Sequence, residues 1–162
     1  MNGGDCMNVV LDTNVLIMSL SFRNEYSFIW ESFVRGDYTL CLTNDIMEEY
    51  EEVISRNVSP KVARIVVSYL LILPNVRFLD PHYSFGLIKT DFDDNKFVDC
   101  AIVANASCIV SEDKHFKELL TIDFPKVDVI GIDLFLNILK SKPYTSPEEE
   151  SPSLLSEPNF EP

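Results

Sequence analysis

The chain has 162 residues, 46% apolar and 24% charged, proportions that suit one globular domain with its own core. Twenty-six acidic residues against thirteen basic ones leave a formal net charge of −13, which argues against a broad basic face gripping nucleic acid nonspecifically. No apolar run reaches the roughly 18 residues of a membrane span, and Met1–Met7 lacks the basic and apolar regions of a signal peptide. The expectation is a cytoplasmic chain without a membrane partner.

Cys6, Cys41, Cys100 and Cys108 form no CxxC pair, and three of them lie in apolar segments. They read as reduced, buried thiols rather than a disulfide frame or a zinc site.

Residues 1–6 read as a short extension. From there strand and helix signals alternate. Met7–Leu11, Tyr38–Leu42, Val76–Leu79, Cys108–Ser111 and Val127–Gly131 are short apolar runs, β-branched or aromatic in part. Amphipathic stretches lie between them at about 25–35, 44–56, 60–73, 92–106, 114–121 and 132–141. This alternation predicts an α/β sandwich with a mostly parallel central sheet over residues 7–142, and no internal repeat. Residues 143–162 hold five of the nine prolines, five acids and no base. They read as a disordered acidic tail, because so few apolar groups cannot offset the entropy of ordering. Without them the chain has thirteen bases against twenty-one acids, a charge of −8.

In a parallel sheet the ligand site lies beyond the carboxyl ends of the strands. The first strand runs into Asp12-Thr13-Asn14, and the strand Cys108–Ser111 runs into Glu112-Asp113. Either aspartate alone could be only a helix cap. Two that converge would repel one another and resist ionisation unless a cation joined them. On the 44–56 helix, Glu49 and Glu51 flank the apolar stripe of Ile46, Met47, Tyr50, Val53 and Ile54, while Glu48 and Glu52 point to solvent. Periodicity does not choose between Glu49 and Glu51. Asp91 and Asp94 have capping spacing at the head of the 92–106 helix, but Asp94 shares the stripe of Phe97, Val98 and Ala101. A carboxylate there needs a partner. Asp99 is rotated well away and reads equally as a supporting or an exposed residue. His115 reads as structural or phosphate-facing rather than a metal ligand, and His82 as a surface residue.

Four segments together resemble the PIN-domain family: Val9-Val10-Leu11-Asp12-Thr13-Asn14-Val15-Leu16, Thr43-x-x-Ile46-x-x-Glu49-Tyr50, Asp91-Phe92-Asp93-Asp94-Asn95-Lys96-Phe97 and Ile109-Val110-Ser111-Glu112-Asp113-Lys114-His115-Phe116. The likeness covers about residues 7–140 and is nearest to the toxin branch of prokaryotic toxin–antitoxin pairs, VapC-like in the broad sense. It implies a three-layer α/β/α sandwich and a metal-dependent endoribonuclease leaving a 5′-phosphate and a 3′-hydroxyl. By the resemblance the catalytic and metal-holding acids are Asp12, Glu49, Asp94 and Asp113, which settles on Glu49 over Glu51. Thr13, Asn14 and Ser111 match supporting positions, with Asp91 and Asp99 as further candidates. The chain departs from the family in having Ser111 where Thr is usual, Glu112 where Gly or Asn is common, and Asp-Phe-Asp-Asp for Asp-Pro-Asp-Asp. These changes leave the four acids intact and bear on specificity.

Four carboxylates without a histidine cluster form an all-oxygen donor set suited to Mg²⁺ or Mn²⁺ rather than Zn²⁺. Arg56, Lys89, Lys96, Lys114 and Lys117 flank the expected site as candidate contacts to RNA phosphates. The resemblance further implies an antitoxin protein and a homodimer as partners. Phe22, Phe28, Trp30 and Phe33 could serve such contacts, although core packing is the expectation for most of them. Two readings compete. A Rossmann-like phosphatase would use Asp12 as nucleophile but favours Asp-x-Asp, where this chain has Asn14. A catalytically silent binding module would be expected to have lost acids.

Overall fold

The computed structural model describes residues 6–143. The proposed acidic tail, from Tyr144 on, and all of the proposed extension except Cys6 lie outside the described residues. The elements are β1 (Asn8–Leu11), α1 (Thr13–Ser19), α2 (Ser27–Arg35), β2 (Thr39–Leu42), α3 (Asn44–Asn57), α4 (Pro60–Ile72), β3 (Val76–Phe78), α5 (Asn95–Ala104), β4 (Cys108–Val110), β5 (Val129–Ile130) and α6 (Ile132–Ser141). Short 3-10 turns cover Phe92–Asp94 and Lys114–Thr121.

All five strands are parallel, in the order β3-β2-β1-β4-β5. The central strand pairs Val9 with Leu40 on one side, and Val10 with Ile109 and Leu11 with Val110 on the other. A strand buried on both faces is continuously apolar, and Val9, Val10 and Leu11 are all buried. Right-handed crossovers put the β1–β2–β3 connections on one face and the return through α5 on the other. Accordingly α1 packs on α2 and α3, and α2 on α6, while α5 packs across β1, β2 and β4. This is the three-layer α/β/α sandwich.

Helix ends follow the local sequence. Thr43 and Ser59 cap α3 and α4 by accepting from the Ile46 and Val62 N–H groups at 3.2 and 3.1 Å. Gly36, at φ 85°, closes α2 in the left-handed conformation that glycine adopts without strain.

Four expectations need correction. Helix α1 gives no amphipathic signal in the sequence, because Val15 and Leu16 continue the apolar run of β1 and mask the change of period. The 114–121 segment is 3-10, with Phe116 and Leu119 buried three residues apart, the repeat of that helix. The 92–106 stretch is a 3-10 turn followed by α5. Cys41, Cys100 and Cys108 are buried, but Cys6 is exposed. All four are free thiols, and burial pushes Cys100 up to about 12. Among the described residues no helix is long and apolar enough to cross a membrane.

Candidate active site

The strand order reverses direction between β1 and β4, and the acids gather beyond the carboxyl ends of these two strands. Asp12 follows β1 and is buried. It occupies the N-cap position of α1, but its side chain makes no cap bond. Its Oδ2 instead accepts from the Ser111 hydroxyl at 2.7 Å, and Ser111 Oγ accepts the Asp113 backbone N–H at 3.0 Å. One buried serine thereby ties together the acids that leave β1 and β4. Asp113 also caps the 3-10 segment, accepting from the His115 N–H at 2.9 Å.

Glu49, half-buried on α3, takes the Thr13 hydroxyl on Oε1 at 2.5 Å and the Lys96 ammonium on Oε2. Glu48, Glu51 and Glu52 are exposed. Beneath Glu49, the buried Tyr50 hydroxyl donates to the Leu11 carbonyl, fastening α3 to the end of β1. Asp94 sits at the head of α5. Its Oδ2 lies 3.2 Å from His115 Nδ1, which is also 3.2 Å from Asp113 Oδ1 and 3.7 Å from Asp91 Oδ2.

The carboxylates act on one another. Burial raises the Asp12 pKa above its ordinary value, and Asp113 and Glu49 add to the rise, while bonds from Ser111 and the Thr13 backbone oppose it. Burial and the nearby Asp91 push Asp94 up to about 6, with smaller contributions from Asp113 and Asp12 and an opposing bond from His115. A pKa raised by burial among like charges marks a site short of positive charge.

The tightest donor group differs from the expected one. Among the described residues, Asp91, Asp94 and His115 bring ligand atoms within 4.8 Å of one another and could hold a metal ion. His115 therefore has a place among candidate ligands that its sequence context did not suggest. Asp12, Glu49 and Asp113 border this group, each held by its own hydroxyl or backbone partner.

Asn14 is exposed and bonds to none of the acids. Asp99 is buried, but its Oδ1 accepts the Phe85 N–H at 3.0 Å, so it supports a loop rather than the four acids. Lys96 turns inward, its Nζ shared between Glu49 and Asp93. Burial lowers its pKa, but its bonds to Asp93 and Glu49 more than compensate, and the net shift is upward. Lys89 Nζ bonds to the Gly86 carbonyl at 2.6 Å. Arg56 pairs with Glu52, seven residues along α3 from Glu49 and so about 10 Å down the helix axis. Lys114 and Lys117 remain exposed. Lys117 lines a cavity of about 280 Å³ with Ser111, Asp113 and Gly131.

Several positioning residues had no distinct sequence signal. Asn95 is buried at the start of α5, where its side chain accepts from the Ile88 N–H and donates to the Ile88 and Phe92 carbonyls. It pins the 88–92 segment that carries Asp91. Glu112 accepts the Ile132 N–H and so caps α6, which accounts for an acid at that position. Of the four aromatic residues expected near a partner or in the core, Phe33 is in the core, Phe28 and Trp30 pack against it, and Phe22 is exposed.

A family model described as PIN domain matches residues 8–115, and the chain belongs to the PIN-domain family. Its fold is similar to a chain in the crystal structure of VapBC2 from Rickettsia felis bound to a DNA fragment from their promoter. That likeness has a TM-score of 0.52 and 16% identity, covering 77% of this chain and 98% of the other. No curated protein matches the sequence.

Proposed function

We propose that this protein is a divalent-metal-dependent endoribonuclease of the cytoplasm, the toxin of a toxin–antitoxin pair. One observation supports the reading: at the carboxyl edge of the sheet, the charges of Asp113 and Glu49 raise the Asp12 pKa, and those of Asp91, Asp113 and Asp12 raise that of Asp94. PIN domains are generally nucleases, and the likeness to a VapBC2 chain supports an antitoxin partner.

The donor set fits Mg²⁺ or Mn²⁺. It is rich in carboxylate oxygen, lacks thiolate, and has raised pKa values that a cation would reverse. In this reading Asp12 and Asp113 would hold an ion with Glu49 and Asp94 completing the shell, next to the Asp91, Asp94 and His115 group, whose ligand atoms already lie within 4.8 Å of one another. A bound ion of this kind supplies an activated water and neutralised phosphate oxygens. The chain's own part is preorganisation. Ser111 fixes Asp12, Thr13 fixes Glu49, and Asn95 holds the segment bearing Asp91. Of the five candidate bases, Lys114 and Lys117 are exposed and would meet RNA phosphates. Water adds to phosphorus, the bond to the 3′-oxygen breaks, and that oxygen takes a proton, leaving a 5′-phosphate and a 3′-hydroxyl.

The test is a map of cleavage ends in a pool of cellular RNA incubated with the protein in Mn²⁺ or in EDTA. New 5′-phosphate ends in Mn²⁺ alone support the proposal. An intact pool in both conditions would leave a binding module. Aryl phosphatase activity without RNA cleavage would favour the phosphatase reading.

A further inference from the structure

A cavity of about 450 Å³ lies at the same sheet edge, outside β2 and β3. The start of α3 forms one wall and the 79–84 loop the other. It adjoins the acids directly, because Lys96 lies in its lining and pairs with Glu49. Its volume falls at the small end of the range for small-molecule sites, about 300–1,000 Å³.

Three features define its chemistry. Tyr83 forms a T-shaped pair with Phe85, with ring centroids 4.8 Å apart, and at 67% exposure most of its side chain remains accessible for stacking. Asp99 is 9% exposed and lines the cavity. Only its Oδ1 is bonded, to the Phe85 N–H. Among the described residues no sealed side-chain polar atom lacks a partner, so the unbonded Oδ2 is not sealed off, on a residue that lines the cavity. Asp45, Asp80 and Asp99 outnumber Lys96 and His82 in the lining, and Lys96 is paired with Glu49 and Asp93, so the cavity disfavours phosphate and favours a neutral ring with hydrogen-bond donors.

We infer that this cavity is a nucleobase subsite, in which Tyr83 stacks on the base and the free oxygen of Asp99 accepts from an exocyclic amino group. It takes adenine, cytosine or guanine in preference to uracil. The inference rests on the nuclease reading for its biological sense, because a base seated here places its backbone beside Lys96 and Glu49.

Binding of adenosine, cytidine and uridine to the full-length protein in EDTA tests it, followed through the backbone amide NMR signals. Neutral nucleosides avoid phosphate repulsion, and EDTA removes any dependence on catalysis. The expected result is shifts at Tyr83, Ser84 and Asp99 with adenosine and cytidine, and uridine weaker by about 10-fold. Asp99→Asn keeps an acceptor for Phe85 and should erase the preference. Tyr83→Ala changes an exposed side chain and should weaken every nucleoside by about 10-fold. Equal shifts with uridine, or Tyr83→Ala binding as wild type, would overturn the subsite. The two readings fail separately: a protein that binds adenosine here but cuts no RNA keeps the subsite and loses the nuclease, whereas one that cuts RNA without these shifts does the reverse.

Discussion

The Ser111 hydroxyl donates to Asp12 Oδ2 at 2.7 Å across 99 residues of sequence. Both residues are buried, at the ends of the paired strands β4 and β1. Since Ser111 Oγ also accepts from the Asp113 backbone, its proton is directed at Asp12. Groups that orient metal-binding carboxylates in this way are typically worth about 10–100-fold in metal affinity or activity. Ser111→Ala should raise the Mn²⁺ concentration needed for RNA cleavage by about 10-fold or more. Ser111→Thr keeps the hydroxyl and should retain most of the activity. An alanine variant with a wild-type Mn²⁺ response would remove Ser111 from the site.

Lys96 gives an effect whose size depends on metal. Its side chain is 18% exposed and compensates Glu49, which is 23% exposed. Lys96→Met should leave that carboxylate without its cation and cost about 1–3 kcal/mol in EDTA. In Mn²⁺ the loss should shrink, because the metal replaces the missing charge. Chemical denaturation in the two buffers checks this, and an equal loss in both would separate Lys96 from the metal site.

The raised pKa of Asp94 sets a pH window. The folded chain holds this proton up to about 6, whereas the ordinary value is 3.8. The folded state therefore binds more protons between these values, and stability from this group is lost as pH rises through them. In EDTA, Asp94→Asn should gain stability relative to wild type as pH goes from 4 to 7. Asp12, also raised, contributes in the same direction and persists in the variant. Thermal melts of the two proteins across this range measure the difference. A constant difference would contradict the shift.

Glu112 and Gly131 fit one another. A Cβ on Gly131 would lie 2.8 Å from Glu112 Oε1, the oxygen that accepts the Ile132 N–H. Gly131→Ala must swing that carboxylate aside and should cost about 1 kcal/mol, as a lost helix cap does. Glu112→Ala should cost a similar amount, and the double variant little more than either. Full additivity in urea unfolding would show that the two act independently.

Much of the site is legible in the sequence because strand ends are. Val9-Val10-Leu11 and Cys108-Ile109-Val110 are too apolar to be anything but interior, so the polar residues after them must emerge at one edge. That argument puts Asp12 and Asp113 at one edge, and the resemblance supplies the role expected of them there. Helical period narrows α3 to Glu49 or Glu51, and the contact with Thr13 distinguishes them. Period says nothing about where a long flexible side chain turns, so Lys96 reads as a candidate contact to RNA phosphates although it folds inward onto Glu49. Nor does it reveal Asn95, whose three bonds run to backbone groups brought close only by the tertiary fold.

The most direct test of the central claim is calorimetric titration of the metal-free protein with Mn²⁺, alongside Asp12→Asn and Asp94→Asn. A saturable site in the wild type, weakened by about 10-fold or more in each folded variant, is the predicted result. Wild-type protein that takes up no Mn²⁺, or variants that bind it as the wild type does, would contradict the account.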